Sequence, residues 1–242
     1  MTKIFTLSID MLGSETKLND ILKGLNQSLL RNINYRFRLY GSEEAIKKNI
    51  EKYKRLFKVT EIINCDSYIA MEDKPSDILK SKENSSMSLA INSVKENTAD
   101  AVLSFGNTGA LMSLSLLNIR TLEGIKRPAI GSIWPNMRGE SVVLDLGANT
   151  KLDSRYLIDN SILGASLASI LFKIDNPSIG LLNVGKEDNK GKNEIKLASD
   201  KLKELSRKSM INYYGYVEGN DISIGRTNVV VTDGFTGNIS LK

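Results

Sequence analysis

The chain has 242 residues, 41% of them apolar and 25% charged, which is typical of a soluble globular protein. It contains no histidine and a single cysteine, Cys65, which excludes Ser-His-Asp and Cys-His nucleophile systems, histidine metal sites and an internal disulfide. The net charge of +5 leaves acidic and phosphorylated partners open, but no nucleic-acid-binding signature occurs, so we expect no nucleic acid partner. No apolar run approaches the ~20 residues of a membrane span and no signal-peptide pattern occurs, so we expect a cytoplasmic protein.

Apolar runs of strand length alternate with longer stretches of helical period. The strands are predicted at residues 4–9, 35–40, 59–64, 101–105, 142–146, 179–184 and 228–232. The second is predicted as an edge or half-exposed strand, because Tyr35, Phe37 and Leu39 alternate with Arg36 and Arg38. The later runs are nearly continuous in apolar residues, which is typical of parallel strands covered on both faces.

Helices are predicted between most of these strands, including 108–119, 156–172 and 194–205. This alternation predicts a doubly wound α/β fold, a mostly parallel sheet with helices on both faces, as a single domain over residues 1–242. The polar stretch 66–82, which holds Pro75, is predicted to be a mobile loop. The final residues, 237–242, are typical of a first helical turn too short to be stable alone, so we expect an incomplete C-terminus.

Glycines with polar neighbours follow four predicted strands, in loops 106–109, 147–150, 185–192 and 234–238. Ligands of open α/β sheets bind beyond the carboxyl ends of the strands. Since each glycine permits a tight turn and each following helix would present free backbone N–H groups, these loops predict one phosphate-binding cleft. The plain alternative is that each loop is only a connection, and that Asn107 caps a helix.

Two aspartates have two interpretations each. Asp145 lies in a buried run and needs a partner, so it is either structural or chemical. Asp10 ends the first strand as either a turn residue or a ligand-binding residue. Cys65 is expected to be a small, partly buried filler. The dinucleotide motif G-x-G-x-x-G is absent, and Gly185 to Asn193 fails the P-loop pattern in both spacing and final residue.

An ordered set of segments runs through the chain: Asp10-Met11-Leu12-Gly13, Ser85-Ser86-Met87, residues 104–112, Arg127-Pro128-Ala129, residues 145–149, residues 182–185 with Lys190-Gly191, Val217-Glu218-Gly219 and residues 233–238. This set resembles the phosphate acyltransferases of bacterial phospholipid synthesis, the PlsX family. After Asn149 the family's usual Val-Asp-Cys is replaced by Thr-Lys-Leu. Because the family chain is longer, the resemblance implies that a C-terminal helical segment is missing here.

The resemblance implies a fold similar to that of phosphotransacetylases. It also implies transfer of a fatty acyl group from acyl carrier protein to inorganic phosphate. The acyl phosphate product would then feed a downstream glycerol-3-phosphate acyltransferase. The family is homodimeric and cytoplasmic and can associate peripherally with the inner face of the membrane. No cofactor and no metal are expected, because the phosphate dianion is itself the nucleophile and the protein must only hold it and stabilise an oxyanion.

The candidate site residues follow from these loops. Those expected to be catalytic are Asn107, Thr108, Lys186, Asp233 and Asn238. Those expected to bind substrate are Asp10, Gly13, Gly106, Gly109, Asp145, Asn149, Asn183, Lys192, Gly234, Thr236 and Gly237. Two alternative functions stay open: a phosphotransacetylase-like enzyme that uses acyl-coenzyme A, and a non-catalytic module that binds phosphate or the carrier protein.

Overall fold

The computed structural model describes residues 4–31, 34–73, 78 and 84–242. These residues form two compact units, the first ending at Thr121 and the second running from Leu122 to Lys242. Each unit contains its own sheet, while the single domain expected over 1–242 stays a prediction. The predicted loop 66–82 lies partly outside the described residues, which omit 74–77 (with Pro75) and 79–82.

The first unit contains a four-stranded, parallel sheet in the order β3-β2-β1-β4. Its strands are β1 (Phe5–Asp10), β2 (Tyr35–Gly41), β3 (Thr60–Asn64) and β4 (Ala101–Ser104). Its helices are α1 (Leu18–Ser28) with the 3-10 turn Leu29–Arg31, α2 (Glu43–Ile50), α3 (Lys54–Lys58), α4 (Ser86–Lys95) and α5 (Thr108–Asn118).

Strand β2 is internal, so the edge alternative of that prediction is wrong, while the half-exposed alternative fits because Arg36 is exposed and Arg38 is half-buried. It pairs with β1 on one side and with β3 on the other. Arg38 lies opposite Glu61 of β3, and the two side chains form an ion pair at 2.9 Å. Phe37 and Leu39 are buried. The alternation of charged and apolar residues therefore reflects a cross-strand charge pair on a half-covered face, not an unpaired edge.

The second unit contains a five-stranded sheet in the order β5-β6-β9-β7-β8. Only β5 runs antiparallel to its neighbour, which is β6. The strands are β5 (Gly131–Asn136), β6 (Gly139–Leu144), β7 (Ser178–Leu182), β8 (Asn212–Val217) and β9 (Val229–Val231). The helices are α6 (Ser154–Phe172), α7 (Asn193–Arg207), α8 (Gly219–Ile224) and α9 (Gly234–Leu241). The prediction of a mostly parallel α/β fold is confirmed, with its strands distributed over two sheets.

Alternate residues of the central strands face opposite cores, as expected for a sheet covered on both sides. Val142 and Leu144 of β6 pack with apolar residues of α6 and α7 on one face. Val143, on the other face, packs in a cluster with Ile222 of α8. Because β6, β9 and β7 are parallel neighbours, their carboxyl ends and the loops that follow lie at one edge of this sheet.

Strands β5 and β8 were not predicted, and β6 ends earlier than predicted. β5 contains Pro135, which a central strand does not tolerate but an edge strand does, because its missing N–H is not needed there. β6 ends at Leu144, so Asp145 is the first residue of the following loop rather than part of the strand. This shift places the Asp145 carboxylate at the edge where the glycine loops begin.

Gly164 lets α6 approach the sheet closely, so its substitution tests this packing. A β-carbon there would lie 2.6 Å from Val229 Cγ1 and 3.2 Å from Leu144 Cδ1, both in the buried core. We expect Gly164→Ala to lower the free energy of unfolding by about 1–3 kcal/mol, because overpacking outweighs the helix-propensity gain. The matched control is Gly24→Ala in α1, where no atom lies within 4 Å of the new β-carbon. That variant should be about 0.5–1 kcal/mol more stable. Equal effects in urea unfolding would contradict the packing.

Candidate functional site

The Asp145 carboxylate is the centre of the polar network at the edge of the second unit's sheet. Its side chain is completely buried. Oδ1 accepts hydrogen bonds from the backbone N–H groups of Ile130, Gly147 and Ala148 at 2.9–3.1 Å. Oδ2 accepts from the Asn149 N–H at 2.8 Å and from the Tyr156 hydroxyl at 2.7 Å. A buried carboxylate needs this many donors, because its desolvation costs several kcal/mol.

The network extends from Asp145 to a cation. The Asn149 amide nitrogen donates to the Tyr156 hydroxyl at 2.6 Å and to the Pro128 carbonyl at 2.9 Å. The Asn149 Oδ1 atom accepts from the Arg127 guanidinium at 3.4 Å. Burial raises the pKa of Tyr156, and the adjacent Asp145 adds to that effect. Tyr156 therefore stays protonated and serves as a donor to the carboxylate.

Helix α9 begins directly against this loop, which brings loops 147–150 and 234–238 together as predicted. The Gly234 N–H donates to the Asn149 carbonyl at 2.8 Å. A β-carbon at Gly234 would lie 2.8 Å from Asp145 Oδ2, and one at Gly237 would lie 1.8 Å from the Asp145 carbonyl oxygen. Only glycine permits this approach of two backbones. The side chain of Asn238 donates to the Leu146 carbonyl at 3.4 Å.

The expectation that these two loops offer free backbone N–H groups to phosphate is wrong. The N–H groups of Gly147, Ala148 and Asn149 all donate to Asp145. Those of Phe235 and Thr236 donate to the Asp233 carboxylate, which caps α9 and also accepts from the Thr236 hydroxyl at 2.8 Å. Carboxylates within the chain already occupy the positions that an external anion would take.

The loop 185–192 joins the same edge through Asn183, which is 8% exposed. Its amide nitrogen donates to the carbonyls of Gly185 and Lys190. The helix that follows, α7, has no side-chain cap at Lys192. A cleft of 370 Å³ lies between this loop and α9, and apolar and polar residues both line it: Leu182, Asn183, Val184, Gly191, Lys192, Ile195, Gly219, Thr232, Asp233, Thr236 and Ser240.

Lys186 is not a free cation. Its ammonium lies 2.9 Å from the Asp221 carboxylate, which is 1% exposed and also bonded to Arg226. The hydrogen bond to Asp221 raises the pKa of Lys186. Burial acts to raise the pKa of Asp221, but the Glu218 N–H and the two cations outweigh it, so the net shift is downward. The charge of Lys186 is thus used to compensate a buried carboxylate.

In the first unit, Asp10 joins the ends of β1 and β4 to the start of α4. Its carboxylate accepts from the Ser86 hydroxyl at 2.6 Å and the Ser104 hydroxyl at 2.8 Å. The Ser104 oxygen in turn accepts from the Gly106 N–H at 3.0 Å. Burial raises the pKa of Asp10 in spite of these hydrogen bonds. Gly13 follows with φ +70°, close to the Ile69 carbonyl.

Asn107 acts as a helix cap, which was the plain alternative at this position. Its side-chain oxygen accepts from the Ala110 N–H at 3.0 Å. Its amide nitrogen donates to the Met71 carbonyl at 2.9 Å and the Asp73 carbonyl at 3.1 Å. The exposed Thr108 and the neighbouring Gly109 begin α5, and their N–H groups donate no hydrogen bond outside the helix within the described residues.

The structure therefore brings Asp145, Asn149, Asn183, Asp233 and Asn238 to one edge of the second unit's sheet, together with the glycines between them. Asp10, Asn107 and Thr108 cluster in the first unit. Sequence reasoning did not select Tyr156, Arg127, Ser86 or Ser104 as site residues. The motif Arg127-Pro128-Ala129 was a signal for Arg127, while nothing in the local sequence marks the Tyr156 hydroxyl.

None of the helices among the described residues has the length and apolar character needed to cross a membrane.

A family model described as "Fatty acid synthesis protein" matches residues 5–242. The chain is 42% identical over 243 residues to a protein of Parvibaculum lavamentivorans named "Phosphate acyltransferase", and the alignment covers all of this chain and 67% of the relative. It is 45% identical over 237 residues to a protein of the same name from Azorhizobium caulinodans, and this alignment covers 98% of this chain and 66% of the relative. The chain thus spans about two thirds of the length of these curated relatives.

Two solved structures share the fold. A phosphotransacetylase from Streptococcus pyogenes matches with a TM-score of 0.71 and 15% identity, over 98% of this chain and 80% of that one. The EutD phosphotransacetylase from Staphylococcus aureus matches with a TM-score of 0.69 and 14% identity, over the same shares. At this level of identity the match supports the α/β architecture alone.

The network around Asp145 is tested by removing one hydroxyl. Tyr156→Phe deletes a donor to a buried carboxylate, so we expect a loss of about 1.5–3 kcal/mol in the free energy of unfolding. The control is Tyr213→Phe, whose hydroxyl bonds the neutral Ser199 hydroxyl at 2.8 Å. Its expected loss is about 0.5–1.5 kcal/mol. A Tyr156→Phe loss no greater than the control would contradict the assigned network.

Asp10 and Asp221 should respond to pH with opposite signs. Since folding raises the pKa of Asp10, its contribution to stability declines as pH rises above about 4. Asp10→Asn should therefore be better tolerated at pH 7 than at pH 4. Since folding lowers the pKa of Asp221, its contribution is present above about pH 4 and is lost as pH falls below that value. Asp221→Asn should cost more stability at pH 6 than at pH 3.

Urea unfolding of both variants across this pH range gives the measurement. A pH dependence of the same sign for both substitutions would show that at least one of the two environments is assigned incorrectly.

Proposed function

This chain belongs to the fatty acid synthesis protein family, and on that premise we propose that it transfers a fatty acyl group from acyl carrier protein to inorganic phosphate. The observation that supports this most directly is the 42–45% identity, over nearly the whole chain, to proteins named "Phosphate acyltransferase". The product is an acyl phosphate, which serves as the donor for glycerol-3-phosphate acylation in phospholipid synthesis.

The chemistry suits a chain without histidine. A phosphate oxygen attacks the thioester carbonyl, the new C–O bond forms, and the C–S bond breaks after an oxyanion intermediate. The proton of hydrogen phosphate goes to the leaving thiolate, so the products are an acyl phosphate and the carrier thiol. Because the second pKa of inorganic phosphate lies near neutrality, at about 6–7 by analogy with phosphate monoesters, the dianion is present at neutral pH and needs no general base.

Cys65 is unsuited to act as a nucleophile in this reaction. Its thiol is buried and donates to the carbonyls of Ser67 and Asn84. Burial raises its pKa, which lowers the fraction of reactive thiolate. The proposed reaction is therefore direct attack by phosphate, with no acyl-enzyme formed at Cys65.

We assign two kinds of role to the candidate residues of the second unit. Asp145, Asn149 and Asp233 use their polar atoms within the chain, so they are positioning residues that fix the loops. Lys192 and Asn238 are the better candidates for contact with substrate. Lys192 lines the 370 Å³ cleft and has no carboxylate partner among the residues described, while Asn238 makes only one long hydrogen bond, at 3.4 Å.

The apolar part of that cleft's lining supports a substrate with a hydrocarbon part. Leu182, Val184 and Ile195 form its walls beside the polar loops, so one end of a ligand can be apolar while the other reaches charged groups. This combination is typical of small-molecule sites. It favours an acyl thioester over a ligand that is polar throughout.

The partners follow from the same proposal. Acyl carrier protein is acidic, so the net charge of +5 favours its approach by electrostatic steering. We further propose a homodimer in the cytoplasm that associates peripherally with the inner face of the membrane, where its product is used.

The reaction is tested with purified chain, acyl-acyl carrier protein and phosphate, with the acyl phosphate trapped by hydroxylamine. We expect hydroxamate formation that depends on phosphate and is faster with the carrier-protein donor than with acyl-coenzyme A. Preference for acyl-coenzyme A would favour a phosphotransacetylase-like enzyme instead. Binding of the carrier protein without turnover would favour a non-catalytic module.

The substitution Cys65→Ser tests whether phosphate attacks the thioester directly. It keeps a donor to the two carbonyls and removes the thiol, so the rate should stay within about twofold of the parent chain. Loss of hydroxamate formation in a folded Cys65→Ser protein, or isolation of an acylated Cys65, would contradict direct attack by phosphate.

A further inference from the structure

A second cavity of the second unit lies beside Asn149 and is lined mainly by charged side chains. It has a volume of 260 Å³, and we call it the cationic pocket. Its lining residues are Lys126, Arg127, Asn149, Lys151, Asp153, Arg155, Tyr156 and Asp159. Four of these side chains are cationic and two are carboxylates.

The carboxylates of the pocket are already engaged. Asp159 is 3% exposed and forms an ion pair with Arg155 at 2.8 Å. Asp153 caps α6 by accepting a hydrogen bond from the Tyr156 N–H at 3.1 Å. This arrangement leaves Lys126, Arg127 and Lys151 to define the charge that a ligand would meet.

Those three cations have no carboxylate partner within the described part of the chain. Arg127 makes a hydrogen bond only to a neutral amide oxygen, that of Asn149, at 3.4 Å. Lys126 and Lys151 form no side-chain hydrogen bond with any described residue, and both are exposed at the pocket. With Arg155 and Asp159 cancelling each other, and Asp153 counted as −1, the pocket has a net charge of +2.

The back wall of the pocket is fixed by the buried network. Asn149 and Tyr156 both bond the Asp145 carboxylate, and Asn149 in turn contacts Arg127. Arg127 therefore has a defined neighbour, and its planar guanidinium suits two-point binding of an oxyanion. The same network uses the N–H groups of Gly147, Ala148 and Asn149, so the side-chain cations supply the positive charge that binds an anion here.

We propose that the cationic pocket binds a phosphate group through Lys126, Arg127 and Lys151. A dianion matches the net charge of +2, whereas a single carboxylate would leave one positive charge without a partner. The group has two chemical sources: inorganic phosphate, or the phosphate ester of a phosphopantetheine-type acyl donor. The choice between these sources rests on the proposed function, whereas the existence of the site does not.

The test measures binding of inorganic phosphate and of 4′-phosphopantetheine separately, by calorimetry at low ionic strength. Lys126→Gln and Lys151→Gln should each weaken binding of at least one of the two probes about three- to tenfold, because each removes a charged hydrogen-bond donor. The double variant should weaken it more than either. Lys48→Gln, an exposed lysine on α2 in the first unit without an ion pair among the described residues, is the control and should bind like the parent chain.

A loss of affinity for either probe supports the pocket, and where only one probe loses affinity, that probe identifies the source of the phosphate group. Unchanged affinity for both probes in the double variant, or no binding of either probe by the parent chain, overturns the proposal. Melting curves of the variants confirm that they are folded, which is expected because both lysines are exposed.

If the variants lose affinity but the parent chain forms no hydroxamate, the pocket stands and the proposed reaction fails. If the double variant forms hydroxamate normally at limiting phosphate and donor and its affinity for both probes is unchanged, the reaction stands and the pocket fails.

Discussion

The buried Asp145 carboxylate holds three segments together at the edge of the second unit's sheet. A charge with no exposure to solvent is stable only if its lone pairs are satisfied, and here both oxygens accept several donors. These donors come from the loop before β5, from the loop after β6 and from α6. One side chain therefore joins segments that are distant in sequence and fixes the shape of the loop 147–150.

This constraint also decides how the edge can bind an anion. Glycine-rich loops at helix starts commonly bind phosphate through free N–H groups. In the second unit, Asp145 and Asp233 accept those hydrogen bonds instead. Long cationic side chains then supply the electrostatic attraction for a substrate, namely Lys192 at the 370 Å³ cleft and the three cations of the pocket beside Asn149. The hydrogen-bonded loops fix where these cationic residues lie, and their long side chains provide the charge.

The sequence predicted the elements that depend on local pattern. Strands β4 and β7 were predicted because their apolar runs are continuous, and α6 because its apolar spacing is helical. Strand β5 was missed because Pro135 is unusual within a strand. For β2 the sequence left an edge strand and a half-exposed strand open, because it does not show that Arg38 pairs with Glu61 of a neighbouring strand. For Asp145 and Asn107 the sequence left two roles open, since only the folded chain shows which donors surround them. The cationic pocket was not predicted at all, because Lys126 and Lys151 come from separate loops.

Hydrogen exchange of the Gly147, Ala148 and Asn149 amides tests the central role of Asp145 most directly. If their N–H groups donate to a buried carboxylate, they should exchange as slowly as the amides of β9 beneath them, although they lie in a loop. Exchange as fast as that of the exposed residues 122–124 would contradict the account, because it would mean that the loop is not held by Asp145.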